Sequence, residues 1–138
     1  MPVISSSDPY TAEELKTLFS SVGWSGGLSS EQLYTAVQRS SHAVTARVDG
    51  VLAGIVRSMD DGIWSAHIDC MVVHPAYQRR GIGSAMLRAL LRELSGIRYI
   101  SVAPNSADTV PLYLKNGFEL VEDGRLLQIE QKGKGETV

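Results

Sequence analysis

Apolar residues recur with helical spacing in four segments of the chain. Helices are therefore expected at residues 11–22, 29–40, 84–94 and 108–116. The third segment has the clearest amphipathic stripe, formed by Met86, Leu87, Leu90, Leu91 and Leu94. Gly96 and Gly117 follow the last two segments, as glycine often does where a helix ends.

Between these segments the pattern changes to short runs rich in apolar and β-branched residues, which predict seven strands. In chain order they are residues 3–4, 43–48, 51–57, 63–73, 99–103, 118–121 and 126–129. A tight turn at Asp49-Gly50 joins the second strand to the third as a hairpin. The order β-α-α-β-β-β-α-β-α-β-β predicts one mixed α/β domain over residues 1–138, with residues 131–138 as a loose tail.

Composition narrows the class of protein. The chain has 138 residues, of which 43% are apolar and 20% charged, as in an ordinary soluble domain. Thirteen basic against 15 acidic residues argue against nucleic acid as a partner. The single cysteine, Cys70, excludes a disulfide framework and a cysteine-based metal site, and no metal is expected. Neither a signal peptide nor a membrane span is visible, so a cytoplasmic protein is expected.

Residues 78–84 form a glycine-rich loop between a predicted strand and a predicted helix. The first turn of a helix carries unpaired N–H groups and a partial positive charge, which suit a phosphate. Gly81 and Gly83 would let the backbone approach a ligand closely, and Arg79 and Arg80 add positive charge. The alternative is a simple strand-to-helix turn with two solvated arginines.

Two known phosphate loops do not fit this spacing. A Walker loop ends in Gly-Lys-Ser/Thr, which is absent here, and the dinucleotide fingerprint needs a third glycine where this chain has Met86. A phosphate loop of a third kind is therefore expected.

Two blocks of the sequence resemble the GNAT superfamily of acyl-CoA-dependent N-acyltransferases. The first is the run Met71-Val72-Val73-His74-Pro75-Ala76-Tyr77-Gln78-Arg79-Arg80-Gly81-Ile82-Gly83. The second is Leu112-Tyr113-Leu114-Lys115-Asn116-Gly117-Phe118, in the order and at the separation that the family shows. The resemblance covers residues 43–129 and implies a mixed, mostly antiparallel twisted sheet flanked by helices.

The resemblance implies acetyl-CoA as co-substrate and assigns residues to it. The strand residues Met71, Val72 and Val73 would pair with the pantetheine arm, as an added strand pairs with a sheet edge. The pyrophosphate would bind the loop formed by Gln78, Arg79, Arg80, Gly81, Ile82, Gly83 and Ser84. Tyr113 matches the tyrosine that protonates the leaving sulfur. Many members place an asparagine seven residues before it, where this chain has Ser106, with Asn105 one residue earlier, so which of the two contacts the cofactor stays open.

Acetyl transfer to an amine through a tetrahedral intermediate needs a base, because alkylamines are mostly protonated at neutral pH. His67 and Asp69 align with a histidine pair of arylalkylamine acetyltransferases and are the candidate bases. Strand alternation puts both on one face with Met71 and Val73, unless a bulge redirects a side chain. His67 is also interpretable as a surface or packed strand histidine, and Asp69 as an electrostatic partner of the ammonium.

Other conspicuous residues carry weaker expectations. Cys70 should point to the face opposite Asp69, as a small buried hydrophobe. His42 and His74 are assigned no role. Trp24 and Tyr34 lie where the family places substrate-binding helices, although ordinary packing explains them equally well.

The acceptor is predicted only by class. The chain is similar to small single-domain members that include plant serotonin N-acetyltransferase-like proteins, which favours a small arylalkyl or alkyl primary amine as the substrate. A polyamine, a protein or peptide amine, and a non-enzymatic acyl-CoA-binding or sensor domain are the alternatives. A homodimer is possible, with residues 126–129 as the pairing segment.

Overall fold

The computed structural model describes residues 1–24 and 26–131. The strands of this part of the chain are β1 (Val3–Ser5), β2 (His42–Val48), β3 (Val51–Asp60), β4 (Ser65–Val73) and β5 (Tyr99–Val102). Its α-helices are α1 (Ala12–Ser21), α2 (Ser30–Gln38), α3 (Ile82–Glu93) and α4 (Val110–Leu114). Short 3-10 turns precede α3 and α4, at Pro75–Tyr77 and Ala107–Thr109.

The five strands form one sheet in the order β1-β2-β3-β4-β5. The first three pairs are antiparallel, and β5 joins β4 in parallel, with Ile68 beside Val102. The hairpin between β2 and β3 turns at Asp49-Gly50, as predicted, with Val48 paired to Val51. The predicted mixed, mostly antiparallel sheet flanked by helices is confirmed.

Helices cover both faces of the sheet. On one face α3 buries its apolar stripe, which includes Ile82, Met86, Leu87, Leu90 and Leu94. On the other face α1 and α2 bury Leu15, Leu18, Phe19 and Val37. Gly54 in β3 lets α3 pack closely, because a Cβ there would lie 2.8 Å from Cε of Met86 and 3.0 Å from the carbonyl oxygen of Val72.

The helices differ at their N-termini. At the start of α1 the side chain of Thr11 accepts a hydrogen bond from the N–H of Glu14, and the carboxylate of Glu14 accepts one from the N–H of Thr11. Ser29 and Gln32 form the same capping box at the start of α2. In the described structure α3 has no such cap, since it begins after Gly81, a residue without a side chain at φ 78°. The first amides of α3 are therefore left for another acceptor.

The two strands predicted after α4 do not form. No strand is present among residues 115–131, where Leu120, Val121, Leu126, Leu127 and Ile129 are between 69% and 89% exposed. The apolar runs at 118–121 and 126–129 are of strand type, but a strand also needs a neighbour for its backbone N–H and C=O groups. The end of the predicted loose tail, residues 132–138, lies outside the described residues.

Candidate functional site

A β-bulge interrupts the pairing of β3 with β4. Ile55 pairs with Val72 and Arg57 with Asp69, so Cys70 and Met71 together stand opposite the single residue between Ile55 and Arg57. Cys70 has a positive φ of 60°, a conformation that residues other than glycine adopt rarely. A bulge of this kind redirects side chains and leaves one residue without a ladder partner.

The bulge overturns the predicted face pattern of β4. Met71 and Val73 pack against the core under α3, whereas Asp69 turns toward α1 and α2, so the three do not share a face. Cys70 was expected to point away from Asp69 but lies on the same side, in the core under α1 and α2. Simple alternation fails because the extra residue shifts every following side chain to the other face.

Arg57 of β3 connects the bulge to α2, a role that was not predicted from the sequence. Its Nη2 donates to Oδ2 of Asp69 at 3.0 Å, and its Nε donates to Sγ of Cys70 at 3.4 Å. Its Nη1 donates to the carbonyl oxygen of Ala36 in α2 at 3.3 Å. The available signal was an arginine at the end of an apolar strand run, since such a side chain must find polar partners when it is part-buried.

The thiol of Cys70 is inert in this environment. Burial, followed by the charge of Asp69, raises the pKa of Cys70 to about 11. The thiol is therefore protonated at neutral pH and is not a nucleophile, in agreement with its interpretation as a small buried hydrophobe.

A cavity of about 1170 Å³ opens between the end of β4, the N-terminus of α3 and residues 105–115. Most residues predicted to bind the cofactor line it, namely Met71, Val72, Val73, Gln78, Arg79, Gly81, Ile82, Gly83 and Ser84. Asn105 and Ser106 also line it, and Lys115 adds a positive charge to the lining. The structure thus brings the two sequence blocks to one cavity.

The glycine-rich loop has a specific shape. Arg79 and Gly81 have positive φ values of 66° and 78°, and the side-chain amide of Gln78 donates to the carbonyl oxygen of Val73 at 2.9 Å. The guanidinium of Arg80 lies 5.5 Å from the ring centroid of Tyr77. Gln78 therefore ties the loop to the end of β4, while Arg80 stacks at its outer side.

The first residues of α3, Ile82, Gly83 and Ser84, line this cavity. The N–H of Ala85 already donates to the carbonyl oxygen of Gly81 at 3.0 Å. The amides of Ile82, Gly83 and Ser84 precede it and belong to the first turn, which has no acceptor within its own helix. The part-buried side chain of Asn116 donates to Oγ of Ser84 at 3.4 Å, which links α3 to the end of α4.

Tyr113 lies at the junction of α4 and the bulge. It is 4% exposed, packs edge-on against Phe118 with ring centroids 5.5 Å apart, and lines a cleft of about 20 Å³ with Asp69 and Cys70. Burial, followed by the charge of Asp69, raises the pKa of Tyr113. The hydroxyl therefore keeps its proton throughout the neutral range.

The two candidate bases are separated in their surroundings. His67 lies beside β5, where its Nδ1 is 3.5 Å from Oγ of Ser101. Asp69 borders both the cleft at Tyr113 and a separate cavity under α1 and α2. The structure therefore brings Asp69, but not His67, together with Tyr113.

The cavity under α1 and α2 is mostly apolar and measures about 120 Å³. Its lining consists of Phe19, Trp24, Gly26, Leu28, Leu33, Ala36, Val37, Arg57, Asp69 and Cys70. Trp24 also lines the large cavity, whereas the ring of Tyr34 packs against Tyr10 at 5.9 Å. Of the two aromatic residues singled out in the sequence, Trp24 is the one that lines these cavities.

The remaining histidines have structural surroundings. His74 accepts from the N–H of Ala76 at 3.0 Å, and His42 lies 3.4 Å from Asp60 and 3.3 Å from Glu93. Across residues 1–24 and 26–131, no His, Cys, Asp and Glu side chains form a group of three or more that could hold a metal ion. No helix in those ranges has both the length and the apolar character to cross a membrane.

Comparison with known proteins gives the family. The family model of the acetyltransferase (GNAT) domain matches residues 39–120 of this chain. The N-alpha-acetyltransferase RimI of Mycobacterium tuberculosis is 36% identical over 85 residues, which are 59% of this chain and 54% of the relative. The chain thus spans about half the length of that curated relative.

Solved structures agree with the fold. A GNAT-family acetyltransferase from Streptococcus pneumoniae superposes with a TM-score of 0.81 at 25% identity, over 96% of this chain and all of that one (100%). The ribosomal-protein-S18-alanine N-acetyltransferase of Escherichia coli has a TM-score of 0.70 at 22% identity, over 86% of this chain and 78% of that one. Because the family model matches more than half of the residues, this chain belongs to the acetyltransferase (GNAT) family.

Proposed function

We propose that the chain transfers an acetyl group from acetyl-CoA to a primary amine by direct attack of the amine. The observation that carries the proposal is the N-terminus of α3, which lacks a side-chain cap and borders the cavity of about 1170 Å³. The N-termini of α1 and α2, by contrast, are capped by Thr11 and Ser29, whereas the short helix α4, which begins after Thr109 at the same cavity, has no side-chain cap either.

The residues of this cavity fit a large anionic co-substrate. Three amides of α3, Arg79 and Lys115 supply donors and positive charge for phosphate groups. The volume of about 1170 Å³ exceeds the roughly 300–1,000 Å³ that is common for drug-sized ligands. Acetyl-CoA, when bound, supplies the acetyl group as a thioester.

The bulge supports a place for the reacting centre. Met71 lines both the large cavity and the cleft at Tyr113, so the two spaces meet at the bulge. In our proposal Tyr113 donates its proton to the leaving sulfur, because its raised pKa keeps it protonated. Asp69 attracts the ammonium form of the acceptor or accepts its proton, and a bulge N–H polarises the acetyl oxygen.

His67 has a smaller part in this proposal than Asp69. Its ring lies beside Ser101, and Asp69 is the candidate that shares the cleft with Tyr113. We therefore propose Asp69 and Tyr113 as the reacting pair and retain His67 as an alternative base that could act through a water.

Thiol release from acetyl-CoA in the presence of an amine panel tests the function. We expect release that depends on both substrates, with small arylalkyl or alkyl amines among the best acceptors. Tight acetyl-CoA binding without release for any amine would instead support a non-enzymatic acyl-CoA-binding or sensor domain.

A protein or peptide amine is the second candidate acceptor. The observation that favours it is the 36% identical relative, an N-alpha-acetyltransferase. Peptides with free N-termini therefore belong in the same panel, where their kcat/KM can be compared directly with that of small amines.

A further inference from the structure

A cavity of about 440 Å³ lies between the loop after β1, the end of α2, the start of β2 and the end of α3. We name it the serine cavity, because its lining includes Ser5, Ser6, Ser7, Ser40 and Ser41. Among the described residues, Val37 alone lines both this cavity and the one under α1 and α2, and none is shared with the cleft at Tyr113 or the proposed acetyl-CoA cavity. The proposed acetyl transfer therefore does not use this space.

The serine cavity is electronegative. Asp8 and Glu93 line it, whereas no lysine or arginine of residues 1–24 and 26–131 does. Helix α2 ends at Gln38, which also lines the cavity, and its last turn contains no basic residue. The C-terminus of a helix carries a partial negative charge. An anion would be repelled here, so the matching ligand is a cation.

Both carboxylates of the lining keep one oxygen for a ligand. Asp8 accepts from Nε of Arg47 through Oδ2, and Oε1 of Glu93 lies 3.3 Å from Nδ1 of His42. The other oxygen of each carboxylate has no partner in the described structure, and each side chain is 34% exposed. A charged donor that enters the cavity can therefore bind either carboxylate without breaking an existing ion pair.

A buried carboxylate behind the wall adds to the demand for positive charge. The side chain of Asp60 is 6% exposed, and its Oδ2 lies 3.4 Å from Nε2 of His42 but has no hydrogen-bond partner among the described residues. His42 lines the serine cavity, so its ring separates Asp60 from Glu93 at this wall. Burying an incompletely paired carboxylate is costly, and a cation at the His42 wall would offset that charge.

The walls also select the kind of cation. Nowhere in the part of the chain that the structure describes do three or more His, Cys, Asp and Glu side chains converge on a metal position, which favours an organic cation. The half-buried rings of Tyr10 and Tyr34 both line the cavity and meet edge-on, with centroids 5.9 Å apart. A guanidinium stacks on such rings, is weakly hydrated and donates in a planar fork, whereas an ammonium is a strongly hydrated point charge.

We propose that the serine cavity binds a guanidinium group carried on an aliphatic stem. The guanidinium meets a carboxylate of the lining and the tyrosine rings, and the stem lies against Pro9, Val37 and Ala43. A free small molecule and an arginine side chain of a polypeptide share this chemistry. The inference goes beyond the proposed acetyl transfer and does not rest on it.

Calorimetric titration of the full chain without acetyl-CoA tests the proposal. The probes are ethylguanidinium, ethylammonium, free arginine and a blocked glycine-arginine-glycine peptide. Ser6→Lys places an ammonium in the lining from an exposed loop position, where a substitution disturbs the fold little. Ser95→Lys is the matched control, since Ser95 is exposed near the end of α3 and does not line the cavity. Glu93→Gln removes one carboxylate and keeps its size.

We expect saturable binding of ethylguanidinium to the wild-type protein. Ser6→Lys should weaken it by about tenfold or more, because like charges repel in a part-buried site. Glu93→Gln should weaken it by about tenfold, the usual effect of losing a hydrogen bond to a charged group. Ser95→Lys should stay within about twofold of the wild type, because its charge is in solvent.

The comparison of cations tests the chemistry of the ligand. Ethylammonium can also enter the proposed reaction site, so only the part of its binding that Ser6→Lys removes is compared. That part should be at least about fivefold weaker than ethylguanidinium binding. Tighter binding of free arginine than of the blocked peptide would support a small-molecule ligand, and the reverse order would support a polypeptide arginine.

Three results would overturn the proposal. They are equal binding of the two ethyl cations, equal effects of Ser6→Lys and Ser95→Lys, and no saturable binding of ethylguanidinium up to about 10 mM. Thiol release from acetyl-CoA is measured separately on the same proteins. A protein that binds ethylguanidinium as expected but releases no thiol with any amine would contradict the acetyltransferase function and leave this site standing.

Discussion

Arg57 and Asp69 are direct cross-strand neighbours in β3 and β4, and Nη2 of the first donates to Oδ2 of the second at 3.0 Å. The pair lies beside the bulge at Cys70 and Met71, so the candidate carboxylate has a fixed orientation. Its negative charge is partly balanced by the guanidinium. This arrangement favours Asp69 as an electrostatic partner of the substrate ammonium over a lone general base.

Replacing Asp69 by asparagine tests that role. Asp69→Asn keeps the size of the side chain and removes its charge, so we expect kcat/KM for amines to fall by about 10²-fold. Acetyl-CoA affinity, measured by calorimetry, should stay within about twofold, because the phosphate site uses other residues. His67→Asn is the control, with a smaller expected loss. Equal losses in the two variants would contradict the preference for Asp69.

Tyr113→Phe should lower kcat while acetyl-CoA affinity is nearly unchanged. Only the hydroxyl is lost and the ring still packs on Phe118, so the loss is that of a general acid, about 10²–10⁴-fold. The raised pKa of Tyr113 means that the acid stays protonated to a higher pH than a free tyrosine. The wild-type kcat profile should therefore show no loss from this group below about pH 10. A mutant as active as the wild type would remove Tyr113 as the acid.

Gly83→Asp should weaken acetyl-CoA binding by about tenfold or more, because a carboxylate would stand at the helix N-terminus proposed for the pyrophosphate. The protein itself tolerates a side chain there, since a Cβ would be 3.5 Å from Cδ2 of Leu112, an ordinary contact. Gly83→Ala is the matched control, with a smaller expected effect. Calorimetric titration with acetyl-CoA measures both, and normal affinity in Gly83→Asp would contradict the phosphate assignment.

Gly81 should behave differently from Gly83. Its φ of 78° lies in the left-handed region, so Gly81→Ala should lower the free energy of unfolding by about 1–2 kcal/mol. Urea denaturation of the two alanine variants compares them. A Gly81→Ala variant as stable as Gly83→Ala would show that the loop relaxes from this conformation.

The raised pKa of Cys70 predicts that the folded protein loses stability in alkali. The unfolded thiol releases its proton near its ordinary pKa of 9.0, whereas the folded thiol does so at about 11. The stabilisation is therefore complete below pH 9 and is lost as the pH rises to 11, by at most about 2–3 kcal/mol. Cys70→Ala lacks this group, so the stability difference between wild type and variant should shrink over that interval. Urea midpoints at pH 8 and pH 11 measure it, and a constant difference would contradict the pKa.

The exposed apolar run after α4 bears on association. If residues 126–129 pair with a second copy, sedimentation should show a dimer. Leu127→Lys should then raise the dissociation constant of that dimer by about tenfold or more, because a buried charge is unfavourable in an apolar interface. Val3→Lys, at an exposed position on the edge strand β1, is the control. A monomer at all concentrations, or equal effects of the two variants, would contradict this pairing.

The sequence by itself determined the elements whose signals are local. The amphipathic stripe of α3, the Asp49-Gly50 turn and the glycine loop each lie within a few neighbouring residues, and all were predicted near their observed positions. The two sequence blocks also predicted that the loop and the Tyr113 segment would share a site, and both border connected cavities. Periodicity, turn propensity and motif order require no knowledge of distant contacts.

Only the tertiary structure decided the features that depend on partners far along the chain. The bulge at Cys70 arises from pairing between β3 and β4, and it separates Met71 from Asp69. The contacts of Arg57 with Asp69 and with Ala36 join three elements that no sequence window contains. The runs at 118–121 and 126–129 have the composition of strands, yet they remain without a ladder in the described structure. Strand pairing and ion pairing are satisfied between elements, so residue patterns alone do not specify them.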